Sequence, residues 1–235
     1  MNTKYMIGAV LGLSLALDAS GVTLLSDDFN GTAINSSLWQ ASTPFSNSSM
    51  TESGGNAVFK NRGILVSQAN IPGPLDIRGS FEFTGDLSDN FVVVTRTDGT
   101  INGSNGGLNN GIYVVFSING FGNPGNILIQ DGQLSRLGYG AFTFTKNIFY
   151  NFRVVDNGQS ITGYVNDLAN PLFSIATSQS YGQHIGFFNR ERTASTDDIV
   201  NLDFLSVTAV PEPGVLALFA VGCLTLGLKA KAGRQ

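Results

Sequence analysis

Cysteine, histidine and tryptophan each occur once in this 235-residue chain, and charged side chains make up only 13% of it. Each scarcity excludes something. Cys223 has no partner, so no intrachain disulfide forms, and a folded domain must rest on its own core. Cys223 itself sits in an apolar run near the C-terminus, where it reads as a small apolar side chain. His184 stands alone, which excludes a histidine-rich zinc site. No Gly-x-Ser-x-Gly occurs, so the nucleophile elbow that would pair a serine with His184 is missing. The glycine-rich stretch Gly99–Gly111 has no Gly-Lys-Ser/Thr and opens no helical pattern, so it reads as a flexible loop and not as a phosphate cradle. Low charge together with 17 phenylalanines excludes a long solvated, disordered chain. The net charge is −4, and setting aside the charged residues at the two ends leaves the middle more acidic still; general nucleic-acid binding is therefore not expected.

What remains is rich in glycine (29 residues) and in phenylalanine and β-branched side chains, the composition of strands joined by tight turns. Between Val22 and Ala209 no helical stripe appears. Short apolar or alternating runs predict strands at Thr23–Asp28, Ala57–Lys60, Gly63–Gln68, Ile77–Phe83, Asn90–Thr97, Gly111–Ile118, Ile127–Asp131, Phe149–Val155, Ser160–Val165, Ile185–Asn189 and Val200–Val207. Asp156-Asn157-Gly158-Gln159 reads as a tight turn, and Asn119 through Asn126 as a longer hairpin loop. The expected fold class is all-β, an antiparallel sandwich over residues 22–209.

The two ends have a different character. Lys4, the apolar stretch Met6 to Leu17 and Ala19-Ser20-Gly21 give residues 1–21 the form of a secretory signal peptide, cut after Ala19 or Gly21. At the other end Val210-Pro211-Glu212-Pro213-Gly214 breaks any β structure. An apolar run from Val215 to Leu228 follows, about three-quarters of an ideal membrane span. Lys229, Lys231 and Arg234 then favour a cytoplasmic C-terminus, with the domain outside.

This order, Val-Pro-Glu-Pro, apolar helix and basic cluster over residues 210–235, resembles the PEP-CTERM sorting signal. The resemblance implies a single transmembrane helix and an exosortase partner that recognises Pro211, Glu212 and Pro213. It also implies a protein held briefly at the inner membrane before release to the cell surface or extracellular matrix. The middle resembles the concanavalin A-like lectin/glucanase (LamG-like) sandwich. Asp27-Asp28-Phe29-Asn30-Gly31 with Ser37-Leu38-Trp39 is similar to its opening, residues Phe149–Val154 with Ile161–Asn166 to a late hairpin, and residues 198–204 to its closing strand.

Two kinds of site follow from that resemblance. Retaining glucanases of this fold carry Glu-x-Asp-x-x-Glu on one strand, a spacing that alternation turns to one face. Here only Glu52, Glu82 and Glu191 lie in the domain, and none opens that pattern. Glu82-Phe83-Thr84-Gly85-Asp86 is the nearest approach, so a divergent hydrolase or lyase would use Glu82 or Asp86. The absent acid pair favours no catalytic site and a lectin-like surface that binds or scaffolds polysaccharide. A structural coat or adhesion domain is the third reading. Sugar contacts would come from aromatic faces and planar polar groups, for which Tyr113, Tyr139, Tyr164, Tyr181, Asn189 and Arg190 are the candidates, with Arg192 nearby. Trp39 is expected to pack beneath the first strand. Because the first and last strands of such sandwiches lie together, Asp27, Asp28, Asp197 and Asp198 would converge and could hold a structural calcium ion; Asp203 lies close in sequence.

Overall fold

Runs of β-branched and aromatic residues between glycine turns fold as strands throughout the domain. The computed structural model describes residues 21–85, 90–103, 106–118, 126–132, 135–190 and 198–210, and among them there is no helix. The signal peptide, the sorting residues Pro211, Glu212, Pro213, Lys229, Lys231 and Arg234, and Asp86, Glu191, Arg192 and Asp197 lie outside the described residues.

In chain order the strands are β1 (Thr23–Asp27), β2 (Trp39–Ser42), β3 (Ser49–Ser53), β4 (Asn56–Lys60), β5 (Ile64–Ser67) and β6 (Leu75–Phe83). Next come β7 (Asn90–Thr97), β8 (Ile101–Asn102), β9 (Gly107–Leu108), β10 (Ile112–Ser117), β11 (Ile127–Asp131) and β12 (Arg136–Gly140). The last five are β13 (Phe149–Asp156), β14 (Ser160–Val165), β15 (Phe173–Ala176), β16 (His184–Asn189) and β17 (Ile199–Ala209). Sheet I has the order β15-β14-β13-β6-β17-β4-β3, with β1 also paired to β17; sheet II has the order β12-β11-β10-β7-β16-β5-β2. β8 and β9 form a separate hairpin. All eleven predicted strands are present. Those that composition did not predict are the sheet edges β2, β3, β12 and β15 and the hairpin β8–β9, which occupies the stretch read as a flexible loop.

The sheets face each other across one core. On β13, Tyr150, Phe152 and Val154 point inward while Phe149, Asn151 and Arg153 alternate outward. Phe81 on β6 is fully buried, and its ring lies 4.8–6.1 Å from those of Phe83, Phe91, Phe116, Phe144, Tyr150 and Phe152. Each such ring contributes roughly 2–3 kcal/mol by leaving water, which is how a chain without disulfides holds together. Trp39 packs under the first strand as expected, edge-on to Phe187 at 5.9 Å. The turn after β13 closes with Asn157 N–H donating to Ser160 O at 3.2 Å, and Gly158 supplies the positive φ of +85° that a side chain would resist.

β1 and β17 pair antiparallel, Thr23 opposite Thr208 and Asp27 opposite Leu205. Ala209 N–H donates to Val22 O and Val210 N–H to Pro74 O, both at 2.9 Å, so Val22 and Ala209 lie side by side at one corner of the sandwich.

Candidate functional site: the outer sheet faces

Alternation sends Val92 and Val94 of β7, Tyr113 and Val115 of β10, Leu128 of β11 and Phe188 of β16 to the outer face of sheet II. With Ile64 and Val66 of β5 they form a second apolar cluster, separate from the core. The β8–β9 hairpin lies over it, contributing Ile101 and Leu108. Docking this close needs glycine at Gly186, where a Cβ would stand 2.5 Å from Leu108 Cδ1. No carboxylate faces outward on β7, β10 or β16; the central positions are apolar side chains, Tyr113 and Gly186.

Tyr113 is therefore a packed residue. It is 3% exposed, its ring meets Phe188 edge-on at 5.8 Å, and its hydroxyl donates to Leu108 O. Burial pushes its phenol up to about 12, so it stays protonated and keeps that bond across the ordinary pH range. Asn189 is fully buried too, its Nδ2 donating to Asp198 O at 3.1 Å and Phe59 O at 3.4 Å. Arg190, one residue on, turns to the outer face. Its backbone is clamped to Asn90, with Arg190 N–H donating to Asn90 O at 2.9 Å and Asn90 Nδ2 to Arg190 O at 2.7 Å. Tyr139, half-buried beside Leu128, accepts a bond from Arg136 Nη1 at 2.9 Å. Tyr181, also half-buried, lies before β16 with its N–H on Arg96 O at 3.1 Å.

Tyr164 belongs to the other surface. On the outer face of sheet I it shares a row with Arg153 and Arg78, and the Arg153 guanidinium lies 5.0 Å from its ring centroid. Asp76 bridges both arginines, at 2.7 Å from Arg78 Nη2 and 2.9 Å from Arg153 Nη2. Burial raises the Asp76 pKa, but hydrogen bonds from Arg78 and then Arg153 outweigh it and hold the carboxyl below its ordinary value. Along the same face Phe149 (44% exposed) stands opposite Glu82, which stands opposite Asn201; Phe204 (37% exposed) stands opposite Ser80. Glu82 is thus on sheet I, behind the core from Tyr113. The six proposed sugar contacts are divided between two surfaces, and two of them are packed inside. Sequence reasoning missed Asp76, Arg78 and Arg153, although the two-residue spacing of Asp76 and Arg78 on β6 and the alternation of β13 around Arg153 were the available signal.

Of the aspartates proposed for calcium, Asp197 lies outside the described residues, and Asp27 and Asp198 do not meet. The first and last strands do pair, but Asp198 lies seven residues from Leu205, the partner of Asp27, which is about 20 Å along an extended strand. Asp27 is already engaged, its Oδ2 accepting from Trp39 Nε1 at 2.7 Å and its Oδ1 from Phe29 N–H at 3.0 Å. Asp28 is exposed and closes a short turn onto Asn30. Among the described residues no group of three or more His, Cys, Asp or Glu side chains could hold a metal ion. Asp27, Asp28 and Asp198 do not by themselves form such a site.

His184 comes near a serine, Nδ1 being 3.4 Å from Ser67 Oγ, but the same nitrogen is 2.8 Å from Ser67 O and Ser67 is buried. Its hydroxyl accepts from Ile185 N–H at 3.2 Å, so this is a strand-end contact. A pocket of about 230 Å³ opens where the chain ends leave, lined by Ile71, Pro74, Leu75, Arg96, Asp156 and Gln183 among others. Arg96 there is fully committed: to Asp156, and through Nη1 to Thr177 O at 3.0 Å and Gln179 O at 2.8 Å.

No family model matches the chain, and neither does any curated protein. Solved structures do. A carbohydrate-binding module from Bacillus subtilis is similar over 73% of this chain and 97% of its own, with 10% identity and a TM-score of 0.55. A Bacillus subtilis protein of unknown function with a galectin-like fold is similar over 80% and 96%, with 10% identity and a TM-score of 0.60. A β-1,3-glucanase from Mycobacterium marinum is similar over 80% and 99%, with 12% identity and a TM-score of 0.57. At these identities the likeness is one of fold, and the fold of this chain is the galectin-like, concanavalin A-like β-sandwich.

Proposed function

We propose that this chain is an exported surface or matrix protein whose sandwich binds or scaffolds extracellular polysaccharide without cleaving it. The fold is shared with a carbohydrate-binding module and a glucanase, and the outer face of sheet II supports binding over cleavage. Its central outward positions on β7, β10 and β16 carry no carboxylate, whereas glycoside hydrolysis needs an acid and a nucleophile or base facing one another. Glu82 is directed to the opposite sheet face, between Phe149 and Asn201.

Export is supported by the form of residues 1–21, and exosortase sorting by Pro211-Glu212-Pro213 with the basic residues Lys229, Lys231 and Arg234. The adjacency of Val22 and Ala209 suits a domain with both handles at one corner. A second reading, a coat or adhesion domain that associates with itself, is favoured by Ile148 (47% exposed), Phe149 and Phe204, which leave apolar surface uncovered on one side.

The test is binding of the purified full-length chain to a polysaccharide panel that includes the host's own matrix, with reducing ends followed in parallel. Saturable binding without new reducing ends is expected. Product release that disappears in Glu82→Gln would replace this reading with a hydrolase.

A further inference from the structure

We infer that Arg190 forms, with Arg62 beside it, an acceptor for the carboxylate of an acidic glycan at the edge of the sheet II face. The inference rests on the glycan-binding reading and names its substrate class.

Arg190 is half-buried and follows Asn189 at the end of β16; alternation turns it to the face that carries Phe188 and Tyr113. Its backbone is fixed by the two-way clamp to Asn90, so the side chain starts from a rigid point. Among the described residues its guanidinium has no hydrogen-bond or ion-pair partner. Arg62 is a second cation on the same side: its guanidinium carbon lies 5.2 Å from the Phe45 ring centroid. Gly106, which leads into β9, packs on that pair, since a Cβ there would meet Phe45 Cε2 at 2.5 Å and Arg62 Cδ at 2.6 Å. Gly107, the next residue, lies on Phe188, where a Cβ would stand 3.2 Å from Cζ, so the Arg62–Phe45 pair sits on the sheet face that Arg190 edges. Burial first, and the Arg62 charge second, push the Arg190 pKa down.

An arginine stays protonated in any such setting, so the cost of holding it beside another cation against an apolar sheet is not relieved by proton loss. An anion relieves it. A planar carboxylate meets a guanidinium through two parallel N–H···O bonds. General attraction does not explain such binding, because the chain has a net charge of −4. Recognition of a polyanion here has to be local.

The experiment compares polygalacturonate, neutral laminarin and inorganic sulfate as ligands of the full-length chain by calorimetry. Polygalacturonate is expected to bind, sulfate to compete only at high concentration, and Arg190→Gln to lose about tenfold or more of the affinity while Arg190→Lys keeps part of it. Because Arg190 supports no other side chain, Arg190→Gln is expected to leave Tm unchanged or slightly higher. A fall of many degrees would show that the arginine is paired in the protein and would overturn the inference. Equal binding of laminarin, indifferent to Arg190→Gln, would also overturn it and leave the glycan reading standing. Binding of neither polymer would remove both. Binding of sulfate as tightly as polygalacturonate would reduce the site to a general anion site and overturn the assignment to a glycan.

Discussion

Arg96 of β7 reaches across the end of the sandwich to Asp156 of β13, its Nε lying 3.1 and 2.8 Å from the two carboxylate oxygens. The side chains are 9% and 3% exposed, so this is a buried bidentate pair joining sheet II to sheet I. Arg96 holds it from a left-handed backbone with φ of +53°, an unfavourable conformation for a long side chain that the surrounding bonds maintain. Arg96→Met strands the Asp156 carboxylate and is expected to cost about 3–5 kcal/mol, a Tm loss on the order of 10 °C. Arg96→Met/Asp156→Leu should recover a large part of that loss. Thermal denaturation of the two variants checks both statements.

Asp76 predicts an acid-sensitive stability term. Its folded-state pKa lies below the ordinary 3.8, so its contribution is fully present above that value and is lost as pH falls through the folded-state pKa. Asp76→Asn is expected to be less stable than the parent at pH 7, with the difference shrinking below about pH 4. Urea denaturation at pH 7, 4 and 2.5 measures it; a difference that stayed constant would mean that the carboxylate is not the source.

The Asp27–Trp39 bond supplies a different expectation from calcium. Asp27→Asn weakens a charge-assisted bond to the indole N–H and should cost about 1–2 kcal/mol. The loss should be the same with millimolar calcium as with chelator, because the carboxylate is occupied by protein donors. Melting curves in both buffers distinguish this from an ion-dependent role.

Gly186 controls how closely the β8–β9 hairpin lies on sheet II. Gly186→Val places side-chain atoms where Leu108 now sits and should lift the hairpin, breaking the Tyr113 hydroxyl bond to Leu108 O. Amide exchange over residues 98–103 and 106–110 is expected to speed up by about tenfold or more while the core strands keep their protection.

Apart from β1, the strands legible in the sequence are those that bury a full face. β7, β10 and β11 are continuous apolar runs because both of their faces are covered, one by the core and one by the second cluster. The edge strands β2, β3, β12 and β15 bury little, so their sequences, such as Ser-Met-Thr-Glu-Ser, carry no such pattern. The hairpin β8–β9 was hidden for another reason: its glycines permit close docking, and composition cannot distinguish that use from flexibility. The tyrosines were equally ambiguous, since inward and outward sides of sheet II are both apolar and Tyr113 looks the same from either. The first and last strands do pair, but the seven-residue offset between Asp198 and Leu205, the partner of Asp27, is not written in composition.

β17 is bonded along both of its edges, to β6 on one side and to β1 and β4 on the other, and the chain leaves it directly at Val210. A pull applied at Val210 runs parallel to those ladders and loads many bonds at once. A pull between Val22 and Val210 would instead open the β1–β17 ladder one rung at a time. The same sandwich therefore resists a load along β17 and yields to one that draws its two ends apart.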